Sequence, residues 1–207
     1  MKLNQYNIYF LKSKYDICNK NIHKRKKNYI NDDYDKLFFN LLNIIKHSEL
    51  DLFYNRHKEQ NIKLNICCKL DDYKFKNKAS ICEKLSYEKN IDLTVLNVLC
   101  LFFKINVCYV CENIYIKMFY NTEIDNYFIL NKDLSFKNIK HEKLLDIIEN
   151  KYEITNINKP INSMSYYKVD ELKELCYKLN ISIEEKVKKS SLYNIVSKHI
   201  CNMIPIF

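Results

Sequence analysis

The nine cysteines of this 207-residue chain are the side chains best suited to covalent chemistry or metal binding. A cysteine enzyme needs a thiolate, a base within hydrogen-bond reach and a group that orients the base. Cys82 beside Glu83, with His141 or His57 as the base, is the combination that offers these groups. Sequence spacing does not support it, because nothing in the sequence places Cys82 in the electropositive surroundings that a reactive thiol needs. We therefore interpret Cys82 as a buried, inert residue.

Cys108 and Cys111 have the C-x-x-C spacing that zinc sites and redox sites use. Both kinds of site need a turn or a helix start to bring the two sulfurs together. This pair lies in a β-rich segment, where residues three apart point to opposite faces of the sheet. The adjacent pair Cys67 and Cys68 fails for a similar reason, and no two histidines have ligand spacing. The sequence therefore predicts no metal site and no cofactor.

The chain contains no glycine, which excludes several classes of function. Phosphate-cradling loops, dinucleotide-binding fingerprints and nucleophile elbows need glycine, because the backbone there has positive φ or approaches a ligand closely. The scarcity of residues with GC-rich codons indicates an AT-rich genome, as in large DNA viruses, some intracellular parasites and reduced bacteria. Asparagine tolerates left-handed backbone next best. We expect it at the turns Asn90, Asn113, Asn121 and Asn180.

Positive charge is concentrated near the N-terminus, where residues 1–30 carry a net +7 and residues 31–207 only +2. Such a cluster can neutralise phosphates, dock on an acidic protein surface or direct the chain to a nucleus, and a solvated basic arm is the alternative. Since the chain has only two arginines, we expect contact with the phosphate backbone rather than with base edges. The predicted phosphate contacts in this run are Lys20, Lys24, Arg25, Lys26 and Lys27.

Hydrophobic periodicity predicts an α+β body in which helices are grouped beside an antiparallel sheet. The predicted helices are residues 35–47, residues 93–103 with Asp92 as N-cap, and residues 141–149. The predicted strands are residues 61–70, a hairpin of residues 105–110 and 114–120, and a third strand at 127–130.

A polar segment at residues 155–165, which includes Pro160, divides this body from two short amphipathic helices. These helices are predicted at 168–179 and 190–200, joined by a loop that buries isoleucines. The predicted organisation is a basic N-terminal arm at 1–30, an α+β body at 31–154, and a linker with a helical hairpin at 155–207.

The segment YKVDELKELCYKLNISIEEKVKKSSLYNIVSKHI resembles the SAP module, a helix–extended loop–helix unit of DNA- and chromatin-associated proteins. It is also similar to the N-terminal helical unit of Rho-type terminators. The matching positions are Leu172, Leu175, Leu179, Lys188, Lys189 and Leu192. The resemblance implies that Lys186, Lys188, Lys189 and Ser190 contact phosphates.

The segment departs from the SAP pattern at two places. SAP modules usually have glycine after the first helix and before the lysines, where this chain has Asn180 and Glu185 or its neighbours. In addition, Glu184 and Glu185 place negative charge on the side that would meet phosphate. A helical hairpin that packs against protein is therefore the alternative, because the whole segment carries a charge of only about +2.

Residues 35–130 resemble uncharacterised proteins of large DNA viruses that have a papain- or OTU-like arrangement. The resemblance implies that the helix at 35–40 opens with the nucleophile, and that residues 93–110 are the helix and strand preceding the catalytic histidine. Asn40 stands where a cysteine would be needed, and the usual glycine before a histidine and aromatic pair is missing. This implies a hydrolase scaffold that has lost catalysis.

These patterns predict a non-enzymatic structural or adaptor protein of a large DNA virus, a virion or minor capsid component. Its expected partners are other proteins of a large assembly and DNA or RNA phosphates, with no small-molecule substrate. A papain- or OTU-like cysteine hydrolase, or an inactive relative of one, is the alternative. No segment approaches the ~20 apolar residues of a membrane span, and the first residues lack a signal peptide's apolar region. The expected location is the host cytoplasm or nucleus and the virion.

Overall fold

The computed structural model describes residues 34–46, 54–73, 75–121, 123, 125–184 and 187–204. These residues form seven α-helices and one five-stranded sheet, which confirms the predicted α+β class. The helices are α1 Lys36–Lys46, α2 Arg56–Lys69, α3 Lys78–Tyr87, α4 Leu93–Phe103, α5 His141–Ile148, α6 Val169–Lys178 and α7 Lys189–Met203. The strands are β1 Val107–Cys111, β2 Ile114–Met118, β3 Asn126–Leu130, β4 Phe136–Lys140 and β5 Tyr152–Glu153. Leu70–Asp72 and Met164–Tyr166 are short 3₁₀ turns.

Local signals in the sequence determine the starts of α1 and α4. The Asp92 carboxylate accepts a hydrogen bond from the Val95 backbone N–H at 2.8 Å, which confirms the predicted N-cap of α4. Asp35 caps α1 in the same way, with 2.9 Å between its Oδ1 and the Phe38 nitrogen. Both helices carry apolar side chains at helical spacing, and those of α1 that face the core are Leu37, Phe38, Leu41 and Leu42.

The strand predicted at residues 61–70 is wrong, because this segment belongs to α2 and the turn that follows it. The residues of this region that face the core are Glu59, Lys63, Ile66 and Leu70, at spacings of four, three and four. That spacing is helical, but two of the four side chains are charged, so apolar residues alone do not reveal the period. Asn55 caps the helix, its side chain accepting from the Lys58 backbone N–H at 2.9 Å.

The sheet is mixed, whereas the sequence predicted an antiparallel one. Its strand order is β4-β3-β1-β2-β5. The predicted hairpin of β1 and β2 is confirmed, and β3 and β4 form a second antiparallel pair. The two hairpins join through the parallel pair β1 and β3, and β5 lies parallel to β2. Periodicity identifies strands but not their neighbours, so the parallel pairings were not predictable from it.

Both faces of the central strands are covered. Val107, Tyr109 and Cys111 of β1 lie in the larger core, with helices α1 to α4, α6 and α7. The opposite face, with Cys108 and Tyr115, packs on a smaller cluster that includes Leu144 and Ile148 of α5. Residues that alternate along a strand therefore enter two separate apolar layers.

The predicted C-terminal hairpin is confirmed as α6 and α7. Its buried side chains are Leu172, Leu175, Cys176, Leu179, Leu192, Val196, Ile200 and Met203, which join the same core as α4 and β1. The buried Tyr109 hydroxyl donates to the Met203 carbonyl at 2.9 Å, linking β1 to the end of α7. The polar segment at 155–165 thus lies between two parts that share one core, and the boundary predicted there remains a prediction about independent folding.

Asparagine takes the left-handed turns at only some positions. Asn180 has φ 55° as predicted, and Asn77 has φ 59°. Asn90, Asn113 and Asn121 do not have positive φ, and Lys104, Glu112 and Leu134 occupy the left-handed region instead. At Lys104 this conformation ends α4, where the Ile105 N–H donates to the Cys100 carbonyl at 3.1 Å.

Candidate functional site

Three of the predicted phosphate contacts lie together at the start of α7. Lys188 is the N-cap position, and Lys189 and Ser190 are the first two helical residues. Lys188 and Ser190 are exposed and Lys189 is half-buried. The other predicted contacts, Lys20, Lys24, Arg25, Lys26, Lys27 and Lys186, lie outside the described residues.

The start of α7 is electropositive and open to an acceptor. No side chain caps it within the described part of the chain, and its first turn has no acidic residue. The first backbone N–H groups of a helix have no partner inside the helix and carry part of the positive end of its dipole. Two lysines add full charges at the same end. The arrangement can accept an oxyanion such as a phosphate.

The loop before α7 holds its start in place. Ile181 and Ile183, which the sequence predicted to be buried, are only half-buried against the core, and so is Val187. The Ile181 N–H donates to the Cys176 carbonyl at 2.8 Å, which closes the end of α6. Glu184 is exposed in this loop. The apolar loop side chains therefore fix where Lys188 and Ser190 emerge, and two acids, Glu184 and Glu185, are close to them in sequence.

The start of α6 has the opposite character. Asp170 and Glu171 lie in its first turn, and the Glu171 carboxylate accepts from the Lys168 backbone N–H at 2.7 Å. This helix end therefore already has acceptors from its own sequence. The two helices of one hairpin present an acidic start and a basic start.

The proposed cysteine-enzyme combination is not assembled around Cys82. Cys82 is half-buried in α3, and its backbone carbonyl lies 3.7 Å from the Cys67 Sγ. His57 is exposed on α2, and His141 stacks on Tyr127 with ring centroids 5.1 Å apart. Over the described ranges, no hydrogen bond joins a cysteine to a histidine.

Burial works against thiolate formation in this molecule. It raises the pKa of the Cys108 thiol to about 12, and it raises the pKa of Cys67, Cys100 and Cys176 as well. Cys68 is exposed. The thiols whose pKa is raised are therefore protonated at neutral pH, and a protonated thiol is a poor nucleophile.

Cys108 and Cys111 lie on opposite faces of β1, as predicted. Cys108 packs with Ile129 and Ile139, and Cys111 lies in the larger core with Ile114. No group of three or more His, Cys, Asp or Glu side chains among the described residues could hold a metal ion. The C-x-x-C spacing therefore does not bring the two sulfurs together.

Asn40, which the hydrolase resemblance placed at the nucleophile position, has a structural contact. Its Nδ2 donates to the Leu134 carbonyl at 2.8 Å, which ties α1 to the turn between β3 and β4. The helix begins at Lys36, one turn before Asn40. The residue that opens this helix is therefore a lysine, and the Asn40 amide holds a turn in place.

Sequence reasoning missed a buried cluster of charges at the start of the body. Lys63 Nζ lies 2.9 Å from Asp35 Oδ2 and 3.0 Å from Glu59 Oε1, and all three side chains are at most 6% exposed. We call Asp35, Glu59 and Lys63 the charge network. The i, i+4 spacing of Glu59 and Lys63 was the available signal, but nothing in the sequence indicated that the pair is buried.

Every member of the charge network also has backbone or hydroxyl partners. The Asp35 N–H and the Tyr54 hydroxyl donate to Glu59, the Ile91 N–H donates to Asp35, and Lys63 donates to the Lys89 carbonyl. Burial and the neighbouring Glu59 raise the Tyr54 pKa, so its hydroxyl remains a donor. Buried charges that are all paired in this way are typical of a network that holds a fold together.

Comparison with models of protein families, with curated proteins and with solved structures gave no match to this chain. None of the described helices is long and apolar enough to cross a membrane.

Proposed function

We propose that this chain is a non-enzymatic adaptor that contacts nucleic-acid phosphates with the start of α7 and with its basic N-terminal residues. The observation that carries the proposal is the uncapped start of α7, with Lys188 and Ser190 exposed and no acid in the first turn. The proposed setting is a large assembly such as the virion of a large DNA virus, in the host cytoplasm or nucleus. The glycine-free composition supports this setting, because it indicates an AT-rich genome.

Phosphate contact rather than base reading fits the side chains at this end of the hairpin. Lysine is a compact point charge, and serine and backbone N–H groups donate to phosphate oxygens without sequence information. Such contacts position a protein on nucleic acid and give affinity that falls with salt. An adaptor can use them to attach an assembly to a genome.

Two observations favour an adaptor over a cysteine hydrolase. The Cys82 thiol has no imidazole partner in the described structure, and Asn40 is engaged with the Leu134 carbonyl.

The test is a salt titration of binding to labelled duplex DNA, followed by fluorescence anisotropy. Lys188→Gln/Lys189→Gln should weaken binding and reduce the slope of log affinity against log salt by about 2, since each lost phosphate contact removes about 0.9. Replacing residues 24–27 with glutamine should reduce the slope by about 4 on the same basis.

The matched control is Lys137→Gln/Lys140→Gln, which removes the same charge from exposed positions on β4. It should leave the slope within about 0.5 of the original value, because net charge alone contributes little to it. Equal slopes for the two double variants would contradict contact at α7. A slope near zero for the original protein would contradict nucleic-acid binding altogether.

A further inference from the structure

An open groove with tyrosine walls runs beside the acidic half of α6. Its volume is about 480 Å³, within the size range of ligand sites in proteins. Its principal lining side chains are Tyr152, Tyr166, Tyr167, Glu171, Glu174 and Lys178, and we call it the tyrosine groove. Leu175, which is buried, also lines it. It combines residues from β5, the 3₁₀ turn and α6, so it exists only in the folded chain.

Two of the tyrosine rings form perpendicular walls. The Tyr166 and Tyr167 ring centroids are 5.1 Å apart and their planes lie at 80°. Tyr166 is 69% exposed, so most of its ring surface is available to a ligand. The faces of aromatic rings carry negative electrostatic potential, and perpendicular rings present it from two directions.

One of the two walls, Tyr167, is held in place by a hydrogen bond to its hydroxyl. The Tyr167 hydroxyl accepts from the Asn162 N–H at 3.2 Å, and the Tyr193 hydroxyl of α7 donates to the Asn162 carbonyl at 2.9 Å. Tyr152 is half-buried, and burial together with the neighbouring Tyr167 hydroxyl raises its pKa, so it remains neutral. A groove built in this way needs little reorganisation to bind a ligand.

The charges along α6 complete the site. Glu171 uses one carboxylate oxygen to accept the Lys168 N–H, and its other oxygen has no hydrogen bond in the described structure. Glu174 is exposed and lacks an ion pair with any described residue, including Lys178 one turn away. Two carboxylates with spare acceptors therefore lie beside two aromatic faces, and Lys178 is the one cation among the lining residues.

We propose that the tyrosine groove binds a lysine or arginine side chain of a partner protein. The cationic head lies against the Tyr166 and Tyr167 rings, and Glu174 supplies the opposite charge. Cation–π contact and charge pairing both favour this class of ligand, and an acidic ligand would be repelled by two carboxylates. The site is distinct from the start of α7, because it takes a ligand of the opposite charge on the other helix of the hairpin.

The test is to titrate the full chain with the blocked peptide Ser-Ser-Lys-Ser-Ser and to measure binding by NMR. The same peptide with arginine, trimethyllysine or glutamine at the centre provides the comparison. We expect the three cationic peptides to bind and the glutamine peptide not to bind. Trimethyllysine keeps the charge but has no N–H donor, so its binding identifies the aromatic and charge contribution.

Substitutions of exposed groove residues should change the affinity for the peptide in opposite directions. Tyr166→Ala should weaken binding about two- to fivefold, the range for an exposed cation–π contact. Glu174→Gln should weaken binding, and Lys178→Gln should strengthen it, because one removes an attractive charge and the other a repulsive one. Lys188→Gln/Lys189→Gln should leave peptide binding unchanged, since those lysines do not line the groove.

The proposal is overturned if the glutamine peptide binds as well as the lysine peptide, or if Glu174→Gln has no effect. It is also overturned if Lys178→Gln weakens binding, because removal of a repulsive charge should strengthen the binding of a cationic side chain. The variants lie on the surface, and unchanged circular dichroism confirms that each has folded. The DNA-binding slope is measured on the same proteins, so failure here is separate from failure of the phosphate contact.

Discussion

Charge is used in opposite ways in the body and in the C-terminal hairpin. In the charge network, Asp35, Glu59 and Lys63 are buried and each has several partners. In the hairpin, Lys188 and Glu174 are exposed and form no ion pair with a described residue. A buried charge must be paired because its desolvation is otherwise too costly, whereas an exposed charge remains available to a ligand. The difference separates charges that hold the fold from charges that can bind.

The largest effect expected from this comparison is on stability. Lys63→Met should lower the free energy of unfolding by about 3–5 kcal/mol, because it leaves two buried carboxylates without their cation. Lys188→Met changes an exposed side chain with no partner and should alter stability by less than about 0.5 kcal/mol. Urea unfolding followed by circular dichroism measures both. Similar losses for the two variants would remove the distinction between body and hairpin.

The charge network also explains what the sequence could not predict in the fold. The cap of α4 was predictable because Asp92 and its partner Val95 are three residues apart. Helix α2 was not, because Glu59 and Lys63 occupy core-facing positions that periodicity assigns to apolar residues. Only the partners of those charges make their burial favourable, and these come from elsewhere in the chain. Asp35 is 28 residues from Lys63, and Ile91 is 56 residues from Asp35.

The candidate sites show the same limit. The exposure of Lys188 and Ser190 followed from a local pattern, in which two amphipathic helices are joined by a loop. The tyrosine groove did not, since Tyr152 on β5 and Tyr166 are 14 residues apart and line one groove only in the folded chain. A candidate site within one supersecondary unit is therefore predictable from sequence, whereas a candidate site assembled from several elements is not.

A smaller effect tests whether body and hairpin unfold together. Tyr109→Phe removes the hydrogen bond to the Met203 carbonyl and should lower stability by about 1–3 kcal/mol, because a buried acceptor loses its donor. Thiol labelling of Cys100 in α4 and of Cys176 in α6 reports the two parts separately, since both are buried. We expect both thiols to react over the same range of urea, and the variant to shift that range equally for both.

Labelling of Cys176 at a lower urea concentration than Cys100 would contradict joint unfolding of the body and the hairpin. The hairpin would then be an independent unit, as the predicted boundary at 155–165 implies, and its shared core with α4 would contribute little to its stability. Ser197→Ala is a suitable control, because it changes a half-buried side chain of α7 outside this hydrogen bond. It should change stability by less than about 0.5 kcal/mol.

The smallest expected effect concerns a charge whose exposure is intermediate between that of the charge network and that of the exposed hairpin charges. Glu153 is half-exposed, and the same carboxylate oxygen accepts from the Tyr115 hydroxyl at 2.8 Å and from Lys117 Nζ at 3.2 Å. Glu153→Gln should change stability at neutral pH by less than about 1 kcal/mol, as for other solvent-exposed pairs. It should also lower the Tyr115 pKa, which burial, the hydrogen bond and the Glu153 charge raise to about 12.

The pH dependence of stability follows from the raised pKa of Tyr115. Tyr115 ionises near its ordinary pKa of 10.0 in the unfolded chain and near 12 in the folded one, so its contribution to stability is complete below pH 10 and is lost as pH rises to 12. Ultraviolet absorbance of tyrosinate, compared with Tyr115→Phe, measures the pKa in each variant. A Glu153→Gln protein with an unchanged Tyr115 pKa would mean that burial alone produces the shift. Half-exposed Glu153 would then resemble the exposed hairpin charges, Lys188 and Glu174, which form no ion pair with a described residue.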